Sequence, residues 1–400
     1  MIWRRLPPVL SPVTPRALVD GVAAVAGLHS DAEEKVRSVL RQRYGYVDAL
    51  LTDSGTSALI LALRGIVGAG GTVAYPGYAC IDLTAAAVGA GVRVRLYDVD
   101  PLTLSPDLDS VRAAIRRGVD AIVVAHLYGY PADIVGVRQL AAEQGIPVIE
   151  DAAQGAGGVL HSAALGSLGD VSILSFGRGK GTTGGSGGAI LVRNPAQAAW
   201  MRSTRKLLKT GSQGVIDVLT LAAQSVLSHP NLYSVPSSIP GLKLGEMVYH
   251  APHQPRAISA ASAAILRSTL DLENREVLRR RARAKDLLSR LRGIPDVTPV
   301  RAIVGGESGF LRLALIDAAG RRTPRGDLGA LRGYPMTLDQ HPELQSQLIS
   351  GEFGGKGSQF LRDRLFTVPT HARVTPADVA GLSEWLGQRE IESPVFAAVT

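Results

Sequence analysis

Two side chains in this sequence are placed to do chemistry together. Asp151 closes an apolar run, Pro147 to Glu150, that reads as a buried strand. Lys180 stands alone in a glycine-rich loop, residues 177–188, entered from a second apolar run, 171–176. A carboxylate at a strand end and a lysine among small residues are what a pyridoxal-phosphate (PLP) enzyme needs. The amine forms a Schiff base with the aldehyde, and the carboxylate keeps the pyridine nitrogen protonated so that the ring takes up electrons. Both features also have a plainer reading. Many α/β proteins carry an aspartate after a strand, and a lysine in a glycine loop is often solvated or phosphate-binding.

A second constellation lies upstream. The apolar run 46–52 stops at Asp53, and Ser54-Gly55-Thr56-Ser57 opens a helix. Free N–H groups and the helix dipole attract an anion there, and Thr56 and Ser57 add hydroxyl donors. The same residues also serve as an ordinary N-cap. Ser175, five residues before Lys180, is placed to reach a phosphate or to be a satisfied strand serine.

These residues need elements to position them. Apolar runs of four to six residues alternate with helical patterns of roughly ten to fifteen from residue 46 to 192, the pattern of a parallel sheet covered on both faces. Ligands in such sheets bind beyond the carboxyl ends of the strands. Gly55, residues 76–80, His126 and Asp151 each follow a strand at that end, so one cleft collects them. The runs on either side of Lys180 predict a β-ribbon presenting it. Helices are expected over 15–28, 31–44 (capped by Ser30 with Glu33), 195–208, 258–270, 278–291, 324–331 and 376–386. Residues 209–255 read as a mixed segment containing the linker. The expected organisation is an N-terminal arm over 1–14, either disordered or laid over a partner subunit, a large α/β domain over 15–240 and a small α+β domain over 241–400.

Composition narrows the classes. The single cysteine, Cys80, excludes an intramolecular disulfide and suits a reducing, cytoplasmic setting. The N-terminus lacks the apolar stretch of a signal peptide, and no uncharged run is long enough to span a bilayer. The +8 net charge permits acidic or phosphorylated partners. The basic cluster at 275–285 carries an apolar stripe and reads as a solvated amphipathic helix. No zinc-finger spacing or aromatic-rich basic strand points to nucleic acid, and no metal site is expected.

At this point the residues carry a family resemblance. Ser-Gly-Thr-Ser-Ala-Leu at 54–59, His-Leu-Tyr-Gly-Tyr-Pro-Ala-Asp at 126–133, Glu-Asp-Ala-Ala-Gln-Gly-Ala-Gly at 150–157, Gly-Asp-Val-Ser-Ile-Leu-Ser-Phe at 169–176 and Lys180 before a Gly-Gly-Ser-Gly-Gly-Ala run resemble, in order, the DegT/StrS-type sugar aminotransferases. The match is strong over 45–195 and weaker to the C-terminus. The resemblance implies fold type I, with a mostly parallel sheet of the seven-stranded type and a smaller C-terminal domain. It implies PLP as cofactor and a homodimer with shared sites. It makes Lys180 the Schiff-base lysine and proton carrier, and pairs Asp151 with the ring nitrogen. Gln154 falls near the ring's phenolic oxygen, and Gly55, Thr56, Ser57 and Ser175 fall at the phosphate.

Departures from the family pattern are informative. Where the family places an aromatic ring over the cofactor this chain has Cys80, leaving Tyr78 or the thiol to cover that face. The glycine-rich loop has Ser186 or a neighbour where a glutamate is usual. The partner-subunit segment becomes His253-Gln254-Pro255-Arg256, whose His253 or Arg256, like His126, is a candidate substrate or partner contact.

The resulting expectation is amino transfer from glutamate or glutamine to a keto sugar, nucleotide-linked or otherwise, or to a related keto carbocycle. One alternative is PLP-dependent dehydration on the same fold. It is disfavoured because relatives that dehydrate sugars replace the lysine with histidine. Another is a non-catalytic protein that binds cofactor or a membrane surface through the apolar Val215–Leu227 helix.

Overall fold

In a computed structural model of the chain, the described residues are 4–242, 245, 247–320, 322–349 and 353–388. Residues 1–3 of the expected arm and 389–400 of the expected small domain lie outside them. Seven strands form the central sheet, in the order Asp48–Thr52, Gly188–Val192, Val171–Ser175, Val148–Asp151, Ala121–Ala125, Thr72–Pro76 and Arg93–Tyr97. All neighbours pair in parallel except those of Gly188–Val192, which runs antiparallel to both. The interior strands are continuous apolar runs because helices cover both faces; every residue of Ala121–Ala125 is buried. On one face the Gly55–Ile66 helix buries Ala58 through Leu63. Each large apolar side chain buried there contributes about 1.5–3 kcal/mol, so the helix start is fixed firmly over the sheet edge.

A second, antiparallel sheet orders Val297–Pro299, Leu313–Asp317, Leu365–Val368 and Leu331–Arg332. The Pro376–Gly387 helix, capped by Thr375 with Asp378 in a reciprocal box, packs Leu382, Trp385 and Leu386 into its core. Gly306–Glu307 pairs with Val159–Leu160 in a third, three-stranded sheet completed by Ala163–Ala164, and so ties this part of the chain to the segment that follows Asp151.

Several expectations need correction. Ile258, Ala263, Ala264, Leu266 and Leu270 pack into the core of the large sheet with Leu51 and Leu191. We therefore propose a domain boundary near the Leu270–Leu272 turn rather than at residue 241. The arm, over its described residues, lies on its own chain. Leu6 is fully buried, and its N–H donates to the Asp327 carbonyl at 2.8 Å. His371 holds the Pro7 carbonyl at 2.8 Å, and the buried Arg312 guanidinium donates to the Pro8 carbonyl. The basic helix, Glu273–Arg290, is not simply solvated. Arg280 is buried and donates to the carbonyls of Gly309 and Ala156, both at 2.8 Å. Burial lowers its pKa to about 10. Ser30 does not cap the second helix, Ala32–Tyr44. A turn from His29, whose carbonyl accepts the Ala32 N–H at 2.9 Å, replaces the cap. The expected 324–331 helix is one 3-10 turn, Gly326–Leu328, because the chain reverses at Gly329 (φ 68°) and Leu331 joins the sheet.

Candidate active site

The register places Asp151 level with Ala125 and Ile173, at the carboxyl edge of the parallel strands. Asp151, Cys80, His126, Gln154 and Lys180 line one small cavity there. The Asp151 carboxylate accepts the Ala153 N–H at 3.0 Å. Burial pushes its pKa up, and the Ala153 N–H, Lys180 and His126 pull it back only in part. A carboxylate in that condition favours an added positive hydrogen-bond donor.

One residue earlier, Glu150 anchors the strand end. Its Oε1 accepts from His126 Nε2 (2.9 Å) and the Gly166 N–H (2.6 Å). Its Oε2 accepts from the N–H groups of Leu168 (2.7 Å) and Gly169 (2.8 Å) and from the Ser172 hydroxyl (2.7 Å). Burial raises the Glu150 pKa, but these five bonds outweigh it and leave the group below its ordinary value. His126 accepts the Ala132 N–H on Nδ1 at 3.0 Å, so its proton sits on Nε2. Both ring nitrogens are thus committed to the scaffold, and His126 shows only its ring to the cavity.

The second constellation follows the edge strand, Asp48–Thr52, which Gly188–Val192 separates from Val171–Ser175. Ser54 accepts the Ser57 N–H at 3.0 Å, and its hydroxyl donates to the Ser57 hydroxyl at 3.0 Å. Ser57 is fully buried in that cap, while Gly55, Thr56 and Ser175 stay partly exposed. A Cβ on Gly55 would lie 2.8 Å from Ser175 Cβ and 3.0 Å from its Oγ. Glycine alone lets the helix start approach Ser175 so closely. The two form a cradle of N–H and hydroxyl groups suited to a phosphate.

The lysine loop is fixed from both sides. The Thr183 hydroxyl donates to the Phe176 carbonyl (3.1 Å) and accepts the Gly185 N–H (2.9 Å). The Thr182 hydroxyl donates to Glu273 at 2.7 Å. Gly179, at φ 79°, donates its N–H to the Ser11 hydroxyl at 2.8 Å, and a Cβ there would meet Val9 at 2.8 Å. The arm therefore clamps the residue next to Lys180.

Beyond Lys180 the site opens into a cavity of about 660 Å³ that also reaches Cys80, Gln154, Tyr128 and Tyr334. The last two carry no motif of their own, and sequence reasoning passed over them as site residues. The Gln154 amide receives the Tyr128 N–H on Oε1 at 2.9 Å and donates from Nε2 to the Tyr334 hydroxyl at 2.8 Å. Tyr128 adopts φ 54°, ψ 18°, a left-handed conformation costing about 1–3 kcal/mol. Its ring stacks on Tyr334 at 5.3 Å. Its hydroxyl is buried and lies near those of Tyr78 and Tyr334 without a hydrogen bond of normal geometry. A buried polar group left so costs about 1–3 kcal/mol. Tyr78 is not free to cover a ligand: it is fully buried, with its hydroxyl accepting the Tyr334 N–H at 2.7 Å. Cys80 lines the cavity in its place, its thiol pKa raised by burial and the Asp82 carboxylate.

The sequence profile of the DegT/DnrJ/EryC1/StrS aminotransferase family matches residues 28–226, which contain every element of the cradle and of the Asp151–Lys180 cavity. The chain belongs to this family. Among curated proteins it is 35% identical over 194 residues to an L-glutamine:2-deoxy-scyllo-inosose aminotransferase of Streptomyces kanamyceticus, covering 48% of this chain and 45% of that one. It is 36% identical over 160 residues to a UDP-N-acetyl-3-dehydro-alpha-D-glucosamine 3-aminotransferase of Acidithiobacillus ferrooxidans, covering 40% and 43%. The matches thus span a little under half the length of these relatives. The sugar aminotransferase CalS13 of Micromonospora echinospora superimposes with a TM-score of 0.76 at 24% identity, over 97% of this chain and 99% of that one. The fold is that of the type I sugar aminotransferases.

In this DegT/StrS family member, His253 and Arg256 do not reach the cavity of their own chain. His253 Nε2 bonds to Asp53 Oδ2 at 2.7 Å, and the Arg256 N–H donates to Asp53 Oδ1 at 3.4 Å, both at the exposed outer side of the helix start. Ser186, where the family usually has a glutamate, pairs with the Ser262 hydroxyl at 2.9 Å. Among the described residues no helix is long and apolar enough to cross a membrane, and no cluster of His, Cys, Asp and Glu could hold a metal.

Proposed function

We propose that this DegT/StrS family member is a PLP-dependent aminotransferase that moves the amino group of glutamate or glutamine to a keto sugar or keto carbocycle. The observation that carries the reading is the shared cavity of Asp151, Gln154 and Lys180 beside the Gly55–Ser175 cradle. The donor set fits the cofactor. The Gly55 and Thr56 N–H groups, with the Thr56 and Ser175 hydroxyls, bind a phosphate. Asp151, short of positive charge, holds the proton on a ring nitrogen. The Gln154 amide, tied to Tyr128 and Tyr334, orients the ring's oxygen edge. Bound PLP supplies an electron-accepting ring beside the amino-bearing carbon. Lys180 Nζ carries the proton to and from that carbon, and the tethers at Thr182 and Gly179 keep it within reach. The L-glutamine donor and keto acceptors named for the relatives above support the donor and acceptor classes.

A homodimer belongs to the same proposal. Ile216 (77% exposed), Leu219 and Val226 on the Val215–Leu227 helix and Val19 and Val22 on the Pro15–Val25 helix form an exposed apolar surface. The reducing-compartment chemistry of a lone thiol suits a cytoplasmic setting. The deciding test is the visible spectrum of the purified protein before and after glutamine or glutamate, with Lys180→Ala beside it. A band that fades on adding donor and is absent from the variant is the expected result. A band indifferent to both donors, or unchanged in the variant, would refute the reading.

A further inference from the structure

We infer that Asp82 is a second carboxylate for the cofactor: together with Asp151 it holds the proton on the ring nitrogen of bound PLP. The inference rests on the PLP reading above and adds a residue to that site. Asp82 opens the Asp82–Ala90 helix, which follows the strand Thr72–Pro76 and the turn at 77–81. It lines the same small cavity as Cys80, His126, Asp151, Gln154 and Lys180. An acid in the first turn of a helix has an ordinary use, to face the helix dipole. Among the described residues, however, the Asp82 carboxylate bonds none of its own helix's N–H groups. Its one hydrogen bond there comes from the Cys80 thiol, 3.5 Å from Oδ2, and a thiol is a weak donor. Most of its acceptor capacity is unspent.

The charges around this cavity do not balance. His126 accepts the Ala132 N–H on Nδ1 and turns its one proton to Glu150, so it brings no charge. Glu150 is met by its five donors. Burial, with the neighbouring carboxylates, holds the Cys80 thiol and the Tyr75 and Tyr97 hydroxyls protonated. That leaves Asp82 and Asp151 against Lys180, one negative charge in excess. Lys180 forms an ion pair with neither carboxylate among the described residues. The two carboxylates also act on each other: burial pushes the Asp151 pKa up, and the Asp82 charge adds to the push. Two like charges so placed favour an added cation. A protonated pyridine nitrogen supplies one positive charge, the amount in deficit.

The test is 15N NMR of the holoenzyme loaded with PLP labelled at the ring nitrogen, whose shift reads the protonation of that atom. Wild type, Asp82→Asn and Asp82→Ser are titrated toward alkaline pH, with circular dichroism confirming the fold. Losing a nearby opposite charge moves a titration by about one pH unit or more. The expected result is therefore a ring nitrogen about ten-fold or more acidic in both variants. A nitrogen as protonated in the folded, PLP-loaded variants as in wild type would overturn the inference. So would a change confined to the pH dependence of the visible band, which would put the Asp82 charge to work on Lys180 instead. Variants that fold without taking up PLP, or that do not fold, would make Asp82 a structural residue and overturn it too. The wild-type sample separates this inference from the reading beneath it: if wild type takes up no PLP, the cofactor reading itself fails.

Discussion

Glu150→Gln tests whether the buried anion behind Asp151 fixes the strand end. The substitution preserves shape and replaces one carboxylate oxygen by an NH2 group. With the amide nitrogen at the Oε1 position it faces His126 Nε2–H and the Gly166 N–H; in the other orientation it faces Leu168, Gly169 and Ser172. The better orientation therefore still sets donor against donor at two contacts. Hydrogen bonds to a charged group contribute about 1.5–3 kcal/mol each, so the expected loss is about 3–6 kcal/mol. That is a large part of the roughly 5–15 kcal/mol that holds a typical domain folded. Urea unfolding of wild type and variant at pH 7, comparing midpoint and slope, reads the difference. The pH dependence follows from the sign of the shift. Because the Glu150 pKa is lowered in the folded state, its contribution is complete above the ordinary glutamate value of 4.5 and is lost as pH falls through the folded value. The gap between wild type and variant should narrow in acid. A difference below about 1 kcal/mol at pH 7 would mean that the network relaxes freely, and the reasoning would fail.

Three further outcomes follow. Asp151→Asn should leave the cofactor-free chain at pH 7 no less stable, because a raised carboxyl pKa favours folding only below its ordinary value of 3.8 and opposes it once ionised. The same variant should bind PLP about ten-fold or more weakly, as expected for one lost charge-assisted bond; urea midpoints and absorbance titration measure the two effects. Gly55→Ala drives a methyl into Ser175 at 2.8 Å and should weaken PLP binding about ten-fold in the same titration, since overpacking of this kind costs about 1–3 kcal/mol. Ile216→Asp with Leu219→Asp should convert a dimer to a monomer by light scattering while changing monomer stability by only about 0.5 kcal/mol per site, both positions being exposed.

The sheet and the placement of Asp151, Lys180, Gly55 and Ser175 were legible in the sequence because strand-end chemistry is local: an apolar run, then a polar residue or a glycine turn. What stayed hidden depends on contacts between distant segments. Tyr128 is one residue of a recognisable turn, yet its role rests on Tyr334, some two hundred residues away, and on a backbone angle no propensity reports. Tyr78 was a plausible cover for the cofactor until the Tyr334 N–H claimed its hydroxyl. Arg280 has the composition of a solvated helix and becomes a clamp only because two carbonyl-bearing loops, at Ala156 and Gly309, meet it. The 324–331 stretch lost its helix to sheet pairing with Thr367.

The course of the N-terminal arm has a consequence for synthesis. Residues 6–8 are synthesised long before their partners Arg312, Asp327 and His371, which lie some three hundred residues further along the chain. Contacts of such long sequence separation form late, after the loop-closure entropy is overcome. Ser11, which clamps Gly179 beside Lys180, waits on the same docking. The nascent protein can thus complete its central sheet while its lysine loop is still unsecured. The clamp on the lysine loop is therefore completed only in chains that extend through His371.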